Sequence, residues 1–174
     1  IWLLRDPIDN IQSLVKGWST NDSLGPLNIP RFNRFGYRLP KGFSISGYNG
    51  DKWNFALVPE WPQLNGKTLL EVATWQYYMC NKCALDDFAN IDEERVFKIK
   101  FDELLSSPAD LITDIFKWAD LKSQDVDIFQ ELPKINTTKN DKYIEKKFVK
   151  ETISQTEGFQ KLIDQLGFKP DLNE

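Results

Sequence analysis

This sequence predicts an α/β fold, a parallel sheet flanked by helices, on three observations. A short apolar run, Ile1-Trp2-Leu3-Leu4, is stopped by Arg5-Asp6-Pro7; it is too short for a core helix and reads as a buried strand of a parallel sheet. A helix-periodic stretch follows at once, with Ile8, Ile11, Val15 and Trp18 on one face. A second strand-like run, Val96 to Phe101, comes after another helical stretch and is itself followed by helix-start signals, the alternation expected of parallel strands with helical crossovers.

The first strand and helix are sharply punctuated. Asp6 suits an N-cap, and Pro7 suits the first helical position, where its missing N–H costs nothing. A strand, a tight turn and a helix N-terminus make a natural anion site. Arg5 stands at the carboxyl end of the strand, where open α/β sheets bind ligands, and its planar fork of donors suits phosphate. Ser13 lies two turns along the polar face, where its hydroxyl can reach a group beside the helix. The same residues admit a plainer assignment, with Arg5 paired to Asp6 or Asp9 and Ser13 an ordinary surface serine.

Residues 17–67 hold most of the glycines and prolines and lack a sustained period, so they read as long structured loops with short helices, a substrate-side region. Arg31, Arg34, Arg38 and Lys41 gather in this region without an acidic residue between them. Aromatic residues, Trp53 and Trp61 among them, surround that basic stretch. Rings stack on the apolar faces of sugars while guanidinium groups hydrogen-bond sulfate, phosphate or carboxylate, which makes Arg31, Arg34, Arg38, Trp53 and Trp61 candidate acceptor-binding residues. The competing assignment is a loop pinned by its own aromatic cluster, with the arginines solvated around it.

Regular structure resumes at Thr68-Leu69-Leu70-Glu71, a capping box that opens a helix running to about Asp86. Leu69, Val72, Ala73, Cys80, Cys83 and Ala84 are expected to line its buried face. Cys80 and Cys83 form a C-x-x-C, but no other Cys or His is present to complete a zinc site, and a redox pair belongs at a helix start. Buried structural cysteines are the expectation. Downstream, Asp102 and Glu103 follow the second strand, where a carboxylate pair suits either acid–base chemistry or capping and packing, and Ser107-Pro108 opens a helix carrying Leu111, Ile112, Ile115, Phe116 and Ala119. The final third is locally basic, then ends in an amphipathic helix with Phe159, Leu162, Ile163 and Leu166, stopped by Gly167.

Composition bounds the function classes. With 174 residues, 41% of them hydrophobic, the chain can bury one core, and a net charge of -4 argues against a general nucleic-acid binder. No apolar run of about 18 residues occurs, so no membrane-spanning helix is expected.

The Arg5-Asp6-Pro7 turn with Ser13 eight residues after the arginine resembles the 3'-phosphate-binding segment of sulfotransferases that use 3'-phosphoadenosine-5'-phosphosulfate (PAPS). A second block, Arg95 to Leu105 followed by Ser107-Pro108, is similar to that family's strand, acidic pair, leucine and proline. The resemblance implies a P-loop NTPase-like parallel sheet with flanking helices, of which this chain is the helix-rich C-terminal part. It implies PAPS as co-substrate, no metal, and Arg5 and Ser13 as ligands of the 3'-phosphate. The segment Leu132 to Asn140 stands where the family brings a late loop back over the nucleotide, which offers Lys134 and Lys139 as further cofactor-binding residues. The cytosolic phenol and steroid branch carries Arg-Lys-Gly and Gly-Asp-Trp motifs there, and neither is present.

Residues 1–174 then read as a single incomplete sulfotransferase domain, because Ile1 begins inside a core strand. The family's phosphosulfate loop and its catalytic base are expected upstream, so no catalytic residue is assigned within this chain, and the chain alone is expected to be inactive. Sulfuryl transfer would go to a hydroxyl or amine, with a carbohydrate or glycolipid favoured by the aromatic and arginine loop. Two reduced cysteines tilt the compartment toward the cytoplasm, and an upstream anchor would place it in the Golgi lumen instead. Two other classes fit the same pattern: another P-loop transferase such as a small-molecule kinase, and a non-catalytic nucleotide- or glycan-binding domain of the same fold.

Overall fold

The computed structural model describes residues 1–19, 23–24, 29–30, 37–122 and 144–169. In chain order they form β1 (Trp2–Leu4), α1 (Pro7–Ser19), β2 (Ser23–Leu24), β3 (Ile29–Pro30), β4 (Tyr37–Arg38), β5 (Lys52–Trp53), a 3-10 turn (Trp61–Leu64), α2 (Leu69–Phe88), a second 3-10 turn (Glu93–Arg95), β6 (Lys98–Lys100), α3 (Phe101–Ser106), α4 (Pro108–Trp118), α5 (Lys146–Gln155) and α6 (Phe159–Gln165). The fold is α/β with helices dominant. It divides into two compact units, one of Ile1–Asp6 with Asp86–Asp141 and one of Pro7–Leu85 with Lys142–Glu174.

The first unit is built on a two-stranded parallel sheet. Strand β1 pairs with β6 in the register Trp2↔Lys98, Leu3↔Ile99, Leu4↔Lys100, so two strands more than ninety residues apart in sequence lie side by side. Leu4 and Ile99 are its buried positions. The expectation of a fully buried strand is corrected at Ile1 and Leu3, which are 67% and 49% exposed, because among the described residues β1 has a neighbouring strand on one side only. Trp2 packs edge-on against Phe88, with ring centroids 5.1 Å apart. Strand β6 is shorter than the apolar run implies, since Phe101 already belongs to α3. That helix starts where the Glu103 carboxylate accepts the Lys100 N–H at 3.1 Å, which gives the acidic residue the capping role its position suggests. Helix α4 opens with Pro108 in its first turn. Its apolar residues Leu111, Ile112, Ile115 and Phe116 are half-buried.

The second unit carries the main core. Ile8, Ile11, Val15 and Trp18 of α1 are all buried, as their spacing requires. They share the interior with Leu69, Val72, Ala73, Tyr77 and Met79 of α2, Val149 and Ile153 of α5, and Phe159, Leu162 and Ile163 of α6. Helix α2 has the capping box in full: the Thr68 N–H donates to Glu71 Oε2 at 2.8 Å, and the Glu71 N–H donates to Thr68 Oγ1 at 3.2 Å. Phe159, at the start of α6, stacks on Tyr77 and Tyr78, with centroids 5.7 and 5.8 Å away. Helix α6 stops at Gly167, whose φ of 73° suits a residue without Cβ, while the Phe168 N–H reaches back to the Ile163 carbonyl at 3.1 Å.

Two expectations for this unit change. Residues 17–67 contain short antiparallel pairs, β2 with β3 and β4 with β5, which their irregular patterning does not signal. Cys80 is exposed and Cys83 half-buried, so neither is the core cysteine expected. The buried stripe of α2 turns through Gln76, Tyr77 and Met79 instead.

Candidate functional site

In the first unit the candidate residue is Arg5. It leaves β1 at the carboxyl end of the strand, and its guanidinium carbon lies 5.2 Å from the centroid of the Phe101 ring. A guanidinium this close to a ring face is attracted to it as a cation to a π system. Because β1 and β6 are parallel and in register, both strand ends point the same way, and Arg5 and Phe101 are the residues that follow them. The arginine turn and the start of the Phe101-Asp102-Glu103 block are therefore neighbours within one unit.

In the second unit Ser13 is exposed on α1, away from the face that buries Ile8, Ile11 and Val15. On the same helix Asp9 forms an ion pair with Lys146 of α5 at 3.1 Å, and Gln12 donates to the Ile144 carbonyl at 2.6 Å. The Asp9–Lys146 pair is well exposed and contributes little to stability.

The aromatic region of this unit is a packed cluster. Trp53 is 1% exposed and donates its indole N–H to the Ala56 carbonyl at 2.9 Å. Its ring sits edge-on to Trp18 at 5.3 Å and to Trp61 at 5.7 Å, and Phe43 lies 5.2 Å from Trp61. A ring enclosed to this degree positions its neighbours rather than presenting a face to a sugar. Trp61 is half-buried and keeps part of its surface outward. Tyr48 joins the cluster through its ring contact with Trp18 at 4.9 Å and donates its hydroxyl to the Lys52 carbonyl at 2.7 Å. Burial raises the Tyr48 pKa above its usual value and outweighs the hydrogen bond from Asn54, so this phenol stays protonated at neutral pH. Phe55, with φ 61°, lays its ring against Gly17 of α1, where a Cβ would collide with it.

Arg38 sits on β4 with its side chain open to solvent, 3.6 Å from Asp51. Arg31, Arg34, Lys134 and Lys139 lie outside the described residues. Among the described residues no group of three or more Cys, Asp or Glu side chains gathers as a metal site would, and no helix is long and apolar enough to cross a membrane. Sequence reasoning passed over Gln76, the buried polar residue that ties this unit together, because a lone glutamine on a helix carries no local sign of burial. Comparison with family models, curated proteins and solved structures finds no match to this chain.

Proposed function

We propose that this chain belongs to a PAPS-dependent sulfotransferase of the P-loop type, in which Arg5 binds the 3'-phosphate of the cofactor. The observation that carries the reading is the pairing of β1 with β6. It joins the two sequence blocks that resemble the family, the Arg5-Asp6-Pro7 turn and the Phe101-Asp102-Glu103 block, as the adjacent ends of parallel strands. Ligands of open α/β sheets bind outside such strand ends. Lys134 and Lys139 are assigned to the same nucleotide on their sequence position.

The reaction is an in-line transfer. A bond forms between the acceptor oxygen or nitrogen and the sulfur of the sulfuryl group as the bond from sulfur to the bridging phosphate oxygen breaks, and 3'-phosphoadenosine-5'-phosphate leaves. Binding energy from the remote 3'-phosphate is used to orient the sulfate end. The acceptor is a carbohydrate or glycolipid, met by the exposed Arg38 and the outward part of Trp61, with Arg31 and Arg34 from the same basic stretch.

Calorimetric titration of the full-length protein tests the nucleotide assignment. 3'-Phosphoadenosine-5'-phosphate is expected to bind far better than adenosine-5'-phosphate. Arg5→Ala is expected to weaken the former by about tenfold or more, since a charge-assisted hydrogen bond contributes roughly 1.5–3 kcal/mol. Arg5→Lys restores only part of the loss, because an ammonium lacks the planar fork. Equal affinity for the two nucleotides would sink the assignment.

A further inference from the structure

A cleft of about 370 Å³ opens in the second unit, where the 3-10 turn Trp61–Leu64, the first turns of α2 and the connection from α5 to α6 meet. The volume is in the range of small-ligand sites and accommodates a single pyranose ring. Trp75 lines it. The Tyr78 ring, tilted at 5.3 Å, and the Pro59 carbonyl, 3.5 Å from the indole nitrogen, hold that side chain in place. A fixed indole plane is a stacking surface for the C–H face of a sugar.

The polar groups around the indole decide what kind of ligand fits. Thr152 and Thr156 donate their hydroxyl protons to the carbonyls of Phe148 and Thr152, at 2.8 and 2.9 Å, so toward a ligand their oxygens act as acceptors. Gln63 gives an amide proton to Glu60 at 2.6 Å, which keeps its oxygen as an acceptor as well. The Glu157 carboxylate adds two further acceptor oxygens at the rim. Gln155, Lys67 and the second amide proton of Gln63 add donors, so the lining holds an excess of acceptors beside a few donors, a balance that the hydroxyls of a sugar, able to donate and to accept, can meet.

Charge disfavours the anionic alternatives. One lysine, Lys67, faces two glutamates, Glu71 and Glu157, and Lys67 is already bound to Glu71 at 3.0 Å. The net negative lining repels sulfate, phosphate or a uronic acid, in contrast to the arginine-bearing stretch that the acceptor reading uses.

We propose that this cleft beside Trp75 is a saccharide-binding site that takes a neutral pyranose unit, stacked on the indole and donating its hydroxyls to the threonine, glutamine and glutamate oxygens. The assignment stands apart from sulfuryl transfer and holds or fails without any nucleotide present.

Saturation-transfer NMR and titration of the full chain with methyl β-D-glucopyranoside, methyl β-D-galactopyranoside and the charged methyl β-D-glucuronide test it. A neutral glycoside is expected to bind in the millimolar range, with the glucuronide weaker by about fivefold at low salt. Trp75→Ala is expected to remove at least about tenfold of the affinity, as loss of an aromatic anchor does. Should that variant fail to fold, Glu157→Lys, at an exposed rim position, reads the same site: it weakens the neutral glycoside and brings the glucuronide to equal or better affinity. Absence of neutral-glycoside binding up to about 50 mM, an affinity below any useful range, overturns the proposal. Preference of the unaltered protein for the glucuronide, or binding that both variants leave unchanged, overturns it equally.

Discussion

The indole N–H of Trp18 donates to Gln76 Oε1 at 2.8 Å, across 58 positions of sequence, with both residues closed off from solvent. The amide nitrogen of the same glutamine donates to the Asn54 carbonyl at 2.9 Å and to the Ala56 carbonyl at 2.8 Å. One side chain thereby connects α1, α2 and the loop between β5 and the 3-10 turn, with its oxygen and nitrogen both used. Buried polar groups are tolerated on this condition, and their removal costs more than their presence contributes.

Gln76→Leu is accordingly expected to destabilise the protein by about 2–4 kcal/mol, since it strands the Trp18 N–H and the Asn54 carbonyl in the interior. Trp18→Phe removes the donor and a large part of the core contact together. Because the two residues share one hydrogen bond, the double variant is expected to lose less than the sum of the two single losses. Denaturant titrations of the four proteins measure this, and simple additivity would show that the pair is not coupled.

Thr74 presents the opposite case. Its hydroxyl is buried on α2 with no hydrogen-bond partner among the described residues. Thr74→Val keeps the branched shape and removes the orphaned oxygen, so stability should rise by up to about 1 kcal/mol, read as a higher melting temperature. A fall of similar size would mean that the hydroxyl has a partner in solution.

The α2 cap predicts a pH dependence. Burial alone would push Glu71 up, but the Thr68 N–H and hydroxyl and the Lys67 ammonium outweigh it and hold the carboxyl below its ordinary value. A lowered folded-state pKa means that this stabilisation is fully present above the unfolded glutamate value of about 4.3 and is lost as pH falls through the folded value. The melting-temperature gap between the wild type and Glu71→Ala should be constant near neutrality and narrow toward acid. A gap independent of pH would assign the cap's contribution to something other than the carboxylate.

Arg38 separates substrate binding from stability. Its pairing with Asp51 is long and exposed, with side chains 80% and 66% open, so Arg38→Gln should leave the melting temperature almost unchanged. If the acceptor is anionic, the same variant raises its KM while kcat holds, and added salt raises the wild-type KM in the same way. An acceptor KM indifferent to both changes points to a neutral sugar.

Much of the local structure is legible in the residues themselves. Arg5-Asp6-Pro7 ends β1 and starts α1; Thr68 with Glu71, and Ser107 with Pro108, mark the starts of α2 and α4; Gly167 ends the last helix. The spacing of Ile8, Ile11, Val15 and Trp18 identifies the face that is buried. These signals act within one or two turns of the chain, through caps, fixed dihedrals and helical period, and need no knowledge of what lies elsewhere.

Other features were settled only by long-range packing. Helical spacing puts Cys80 on the buried face of α2 and gives no sign of Gln76, and the structure has Cys80 exposed and Gln76 buried. Trp53 reads as a ring for a ligand and is instead held inside by Trp18 and Trp61. In each case the deciding partner is far away in sequence: Trp18 for Gln76, and the ring cluster for Trp53. A polar side chain goes inside when distant groups satisfy all its hydrogen bonds, and an aromatic ring goes inside when distant rings surround it. Neither condition is written in the residue or its neighbours, so only the tertiary structure could decide them.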